Sequence, residues 1–145
     1  MAKSKSAFTL LEVVVVIALL AVTASFVVPL SGRTSKNEAL ETFAKDLVSR
    51  LHVIQSNAYA GSGNCDYQVV FGSNGYQVIC NSEVISYEYP PKVLAVGPNF
   101  SGVDNTTLLF KKGSVVPENQ GYVNIENVYY VSISEEGLIE YGDNL

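Results

Sequence analysis

Few residues in this chain are equipped for chemistry. Its 145 residues include one His, two Cys, one Met and no Trp. A nucleophile activated by His, or a metal site built from several His, is nearly excluded by that inventory. His52 stands between Leu51 and Val53 and reads as a boundary residue of a helix rather than a ligand. Cys65 and Cys80 alone cannot complete a four-ligand zinc site. Asp104, in the loop Gly97–Asn105, would offer a cation one carboxylate and a few carbonyls, a thin shell for Ca²⁺. Asn99-Phe100-Ser101 and Asn105-Thr106-Thr107 match the N-glycosylation triplet, which arises often by chance. Lys111-Lys112 reads as a solvated strand end. No cofactor and no metal are implied, and no enzyme is expected. The acid that stands apart is Glu12, the one charged residue between Phe8 and Leu30.

The composition narrows the classes further. Lys and Arg number 9 against 14 Asp and Glu, a formal net charge of −5, and the pI is about 4.8. An acidic chain with no basic run is poorly suited to gripping nucleic-acid phosphates along a broad face. Hydrophobic residues make up 48% and charged residues 16%, which is not a disordered composition. The length fits one domain.

The elements that must carry these residues are of two unlike kinds. Phe8–Leu30 reads FTLLEVVVVIALLAVTASFVVPL. As a helix, at about 1.5 Å per residue, it matches the roughly 30 Å hydrocarbon core of a bilayer. The β-branched run Val13–Ile17 would suit a strand in water, but a lone strand in lipid leaves its backbone unpaired. Glu12 inside such a segment costs about 2.5–3.5 kcal/mol on insertion scales, so it needs a partner or a purpose. A position near the headgroups would also relieve it. Lys3 and Lys5 precede the run and favour a cytoplasmic N-terminus, a bias that Arg33 and Lys36 weaken. A cleaved secretory signal fits badly, because the run is too long and no A-x-A-like exit follows. Pro29 bends or ends the helix where it falls.

Beyond it, Ser35-x-x-Glu38 fits a capping box. Leu40, Phe43, Ala44, Leu47, Val48, Leu51, Ile54 and Ala58 recur at steps of three and four. The spacing predicts an amphipathic helix from about Ser35 to Ala60, stopped by Gly61 and Gly63. Short strands are expected at Tyr67–Phe71, Tyr76–Cys80, Val84–Tyr89, Lys92–Val96, Thr106–Lys111, Gly121–Ile125, Val128–Ser134 and Leu138–Tyr141. With no helices between them they form an antiparallel sheet. A turn centred on Gly72-Ser73 would set Cys65 opposite Cys80. A turn at Asn74-Gly75 would set Cys80 opposite Val69, and a bridge would then need the chain near Gly63-Asn64 to fold back. An exported domain permits a disulfide between Cys65 and Cys80, with two buried free thiols as the alternative.

Ala7-Phe8-Thr9-Leu10-Leu11-Glu12, with its short Lys-bearing leader and apolar run, resembles the processing motif of type IV prepilins and type II secretion pseudopilins. That resemblance implies cleavage between Ala7 and Phe8, where the family usually has Gly before the cut. It implies N-methylation of Phe8, and it places Glu12 fifth in the mature chain. Glu12 would then pair with the α-amino group of Phe8 on a neighbouring subunit and set the register of a filament. Pro29 falls at the family's helix-bending proline. The implied parts are residues 1–7 as leader, 8–32 as transmembrane and filament-core helix, and 33–145 as an exported globular domain.

The helix–hairpin–meander order resembles the H-type pseudopilins and FimT-like minor pilins, as does the ending in which Gly137 precedes the last strand. DNA-binding members of that group carry basic residues near this terminus, where this chain has Glu135, Glu136, Glu140 and Asp143. The expectation is an α+β, pilin-like fold: a long N-terminal hydrophobic helix continues into an amphipathic helix packed on antiparallel β-sheet. The function expected is that of a minor pilin or pseudopilin of a type IV pilus or type II secretion pseudopilus. A major pilin and a DNA-binding competence pilin are the alternatives. The implied partners are other pilin or pseudopilin subunits, the prepilin peptidase/N-methyltransferase, an inner-membrane assembly platform and, before assembly, the cytoplasmic membrane. Nucleic acid is disfavoured.

Overall fold

The computed structural model describes residues 10–102 and 104–144, with the side chains of 24–34 outside the description. The architecture is α+β, a helix followed by antiparallel strands. Two compact units make up the chain, Met1–Asn37 and Glu38–Leu145.

One helix, α1, runs Leu10–Tyr59. The amphipathic stretch therefore does not begin at Ser35, as the capping box led one to expect. A capping box serves backbone N–H groups that have no carbonyl a turn upstream. Here the preceding turn is helical and supplies those carbonyls. Pro29 likewise lies within α1 and not at its end.

In the second unit the helix buries one stripe, Leu40, Phe43, Ala44, Leu47, Leu51, Ile54 and Ala58. These are the residues that the three-and-four spacing singled out, except Val48, which is only half-buried against the core. Each leucine so removed from water contributes about 1.5–3 kcal/mol of transfer free energy.

Eight strands follow: β1 Tyr67–Phe71, β2 Gly75–Cys80, β3 Glu83–Glu88, β4 Val96–Phe100, β5 Thr107–Phe110, β6 Gly121–Ile125, β7 Tyr129–Ile133 and β8 Ile139–Asp143. They make two four-stranded sheets, β3-β2-β1-β5 and β4-β6-β7-β8, whose neighbouring strands are antiparallel. Val69, Phe71, Tyr76, Val78, Leu108 and Phe110 of the first sheet join Phe100, Val123, Ile125, Val131, Ile133 and Ile139 of the second in one core with the helix stripe. Val131 and Ile133 share the inward face with half-buried Tyr129, as the alternation of that strand predicts.

The strand expected at Lys92–Val96 lies further on, at Val96–Phe100. Gly97 and Pro98 look like strand breakers in the sequence. Yet β4 ends its sheet and pairs with β6 alone, Pro98 opposite Val123, so the missing proline N–H costs the ladder nothing there.

The aromatic residues tie the layers. Phe43 of the helix meets Tyr89 edge-on at 5.6 Å, and Tyr76 stacks on Tyr87 at 5.0 Å. Arg50 lies over the Tyr87 ring at 4.6 Å. The Tyr89 hydroxyl donates to Gly72 O at 3.2 Å. Burial pushes the Tyr89 phenol from 10.0 up to about 12, and burial also raises Tyr76.

A phenol whose folded-state value is raised favours its neutral form in the native state. Its contribution is whole below the unfolded value and is lost as pH climbs through the folded one. The thermal midpoint should therefore fall as pH rises from 10.0 to about 12. Tyr89→Phe should lower stability by about 1 kcal/mol at neutral pH, through the lost bond to Gly72, and should soften the alkaline fall. Melting curves of both chains across that interval measure the difference.

Candidate functional site

The first unit offers a surface rather than a cleft. From Leu10 to Thr23 the described side chains of α1 are exposed all round, with Leu10 at 84% and Leu11 at 75%. Val13–Ile17, Leu19, Leu20 and Val22 complete an apolar cylinder with no dry side and no wet side. A helix apolar on every face is stable when lipid or other apolar helices surround it. Thr23 fits that setting, because its hydroxyl bonds back to Leu19 O and Leu20 O, both at 3.0 Å. Glu12 lies in the first described turn. Among the described residues, no helix is long and apolar enough to cross a membrane. The described side chains of this segment stop at Thr23, short of the end of the 8–32 stretch that the sequence puts forward. Ala7 and the rest of the leader lie outside the described residues, as do Phe8 and the side chain of Pro29.

In the second unit, Cys65 and Cys80 form a disulfide with Cα atoms 5.5 Å apart. The register matches neither of the two turns considered from sequence. Tyr67 faces Cys80 and Phe71 faces Tyr76, so Ser73-Asn74 makes the turn, closed by Gly72 N to Gly75 O at 2.8 Å. Cys65 precedes β1 and reaches Cys80 because the chain folds back through a 3-10 turn at Ser62–Asn64. Gly61, Gly63 and Asn64 all take positive φ there, and a Cβ on Gly63 would meet Cys80 Sγ at 2.8 Å.

The other residues weighed from sequence find local partners. His52 Nδ1 lies 3.4 Å from Gln55 Oε1, at the surface. Asp104 accepts from the Thr106 hydroxyl at 2.6 Å, the Thr106 N–H at 2.9 Å and the Thr107 hydroxyl at 2.8 Å. Those bonds, the Thr106 hydroxyl foremost, hold its carboxyl below the usual value. Its oxygens thus shape a turn, and Gly97–Phe100, expected as loop, is strand. Among the described residues no group of three or more His, Cys, Asp or Glu is placed to hold a metal. Asn99 donates to the Tyr122 hydroxyl at 3.0 Å. Lys45 pairs with Glu41, Arg50 with Asp46 and Lys111 with Glu118, at 2.7, 2.6 and 2.5 Å. Lys112 donates to Asn64 Oδ1.

One residue escaped the sequence reading. Gln55, beside buried Ile54, donates to Val115 O at 2.6 Å and to Gly137 O at 2.7 Å. It ties the helix to a loop and to the β7–β8 turn at once. Gly137 takes φ 83°, and a Cβ there would meet Val115 O at 2.5 Å. On the helical pattern alone Gln55 looks like any solvated polar residue.

Residues 2–28 match the family model described as the prokaryotic N-terminal methylation motif. No curated protein and no solved structure matches the chain. The matched residues lie in the unit that ends at Asn37 and include the exposed apolar cylinder.

Gln55→Ala should strip two carbonyls of their shared donor and destabilise the second unit by about 1–3 kcal/mol. Gln55→Glu should cost at least as much, since a carboxylate repels both oxygens. Thermal midpoints of the two variants against the parent chain measure this.

Proposed function

We propose that this chain, which carries the prepilin-type N-terminal motif of type IV pilins and pseudopilins, is a minor pilin or pseudopilin of a type IV pilus or type II secretion pseudopilus. The motif belongs to structural subunits, and it implies processing by a prepilin peptidase and assembly with other pilin-type chains. The α+β order of helix and antiparallel sheets agrees with a pilin-like fold. The observation that carries the reading is the apolar cylinder of α1, exposed on every side from Leu10 to Val22 within the matched segment.

On this reading residues 1–7 are the leader, 8–32 the membrane and filament-core helix, and 33–145 the exported domain. The precursor sits in the cytoplasmic membrane with its N-terminus inside, where Lys3 and Lys5 favour it. A peptidase/N-methyltransferase cuts between Ala7 and Phe8 and methylates Phe8. An inner-membrane platform then moves the helix from lipid into a bundle of like helices. The transfer is nearly even in free energy, because both environments are apolar, and the small residues Ala18 and Ala21 allow close approach. Glu12 supplies the direction: its carboxylate pairs with the α-amino group of Phe8 on a neighbour and fixes the axial step. Pro29 adapts the helix to the bundle. Cys65 and Cys80 brace the exported domain in an oxidising compartment. The shape of the C-terminal hairpin favours an H-type or FimT-like minor subunit over a major one. The acids Glu135, Glu136, Glu140 and Asp143 speak against a DNA-binding competence pilin.

Glu12→Ala should leave the exported domain folded and disulfide-bonded while its share in sheared filaments drops by about tenfold or more. That factor corresponds to the loss of one charge pair worth about 1.4 kcal/mol. Immunoblots of filament and membrane fractions read the ratio. Undiminished incorporation of the variant would remove Glu12 from the assembly mechanism.

A further inference from the structure

The outward face of the β4-β6-β7-β8 sheet has no part in the filament reading. Val123, Ile125, Val131 and Ile133 point into the core, so the residues alternating with them, Tyr122, Asn124, Tyr130 and Ser132, point away from it. Tyr122 stands opposite Ser132, and Asn124 opposite Tyr130. The two tyrosines are thus diagonal neighbours, about 7–8 Å apart by the usual spacing of such positions. Together with Gln120 and Asn144 these residues line a concavity of about 400 Å³. That lies within the range of small-ligand sites, roughly 300–1,000 Å³.

We propose that this concavity binds a neutral oligosaccharide. The lining contains no carboxylate, ammonium, guanidinium or imidazole. Three of its polar side chains, those of Tyr122, Asn124 and Gln120, are held at one end by a neighbour. The Tyr122 hydroxyl accepts from Asn99 Nδ2 at 3.0 Å and keeps its own hydrogen to give. Asn124 Oδ1 accepts from Asn127 N at 2.8 Å, so the free half of its amide is the donor NH₂. Gln120 Nε2 donates to Glu135 Oε1 at 2.6 Å and leaves Oε1 to accept. Pre-oriented donors and acceptors without formal charge suit hydroxyl groups, which do both.

The rings supply the other half of sugar recognition, an amphipathic surface for the C–H face of a pyranose. Tyr130 faces Gly142 on β8. A Cβ on Gly142 would meet the Tyr130 hydroxyl oxygen at 2.6 Å and its ring carbons at 2.7 and 2.9 Å. Glycine at that position is what lets the phenol lie across the strand.

Charge selects among sugars. Glu135 holds Gln120 at the edge, and Glu140 stands opposite Ser132 on β8. An acidic rim without a basic residue in the lining repels sialylated or phosphorylated chains. The one large aliphatic residue in the lining is Ile133, 2% exposed.

The test uses the full chain in micelles of a detergent without a sugar headgroup. Saturation-transfer NMR titrations with cellopentaose, chitopentaose and maltopentaose probe neutral glycans, and sialyllactose serves as the anionic comparison. The expected result is saturable binding of at least one neutral probe, weakened roughly tenfold or more by Tyr122→Ala and by Gly142→Ala, with sialyllactose binding far more weakly. Failure of every neutral probe to saturate would overturn the proposal. So would binding unchanged in both variants, or sialyllactose binding as well as the neutral probes. Tyr122 is 44% exposed, so its truncation leaves the core intact and carries the test if Gly142→Ala disturbs the fold. Variants that lose filament incorporation while no neutral glycan binds the parent would assign this face to subunit packing and end the saccharide reading.

Discussion

A single helix in this protein meets two different surroundings, and the rest of the structure follows from how its surface changes along its length. From Leu10 to Val22 the side chains are exposed and, Glu12 apart, apolar on every side. From Leu40 to Ala58 the apolar residues narrow to one stripe, and that stripe lies in a core shared by two sheets. The first pattern asks for a solvent other than water. The second makes its own shelter.

The folded domain has one core, shared by the stripe and both sheets. Each sheet has four strands and one buried face, and the helix closes the core they share. The side-chain ties run from the same helix to both: Arg50 to Tyr87 on β3, and Lys45 to Tyr141 on β8, whose ring centroid lies 5.7 Å from the ammonium. Gln55 adds the tie to the last hairpin. The disulfide and the folded-back turn at Ser62–Asn64 set where the helix ends and the first sheet begins.

Much of this was legible in the sequence, for reasons that are physical. The stripe was visible because burial of one helix face imposes a period of 3.6 on residues such as Leu40, Leu47 and Leu51. Most strands were visible because Gly, Asn and Pro punctuate them. What stayed hidden depended on pairing partners that sequence does not name. Pro98 forbids a central strand but not an edge, and only the sheet order shows that β4 is an edge. Ser35 and Glu38 spell a helix start, and only the turn before them decides whether a start is needed. The hairpin register was undecided because Gly72-Ser73-Asn74-Gly75 permits several turns, and the β2–β3 pairing that goes with the Ser73-Asn74 turn involves residues further along. Gln55 was invisible because its acceptors, Val115 and Gly137, are 60 and 82 residues away. At the N-terminus the reverse holds. There the motif was read from residue types and order alone, and the match over residues 2–28 agrees with it.

The account turns on the leader being removed so that the apolar helix starts at Phe8 with a free, methylated amine for Glu12 to meet. Intact-mass and N-terminal peptide analysis of the chain recovered from filaments examines this directly. The account predicts a mature chain that begins at N-methylated Phe8 and lacks Met1–Ala7. Assembled material that still carried Met1, or a chain absent from every filament preparation and found only as an uncut membrane protein, would contradict it.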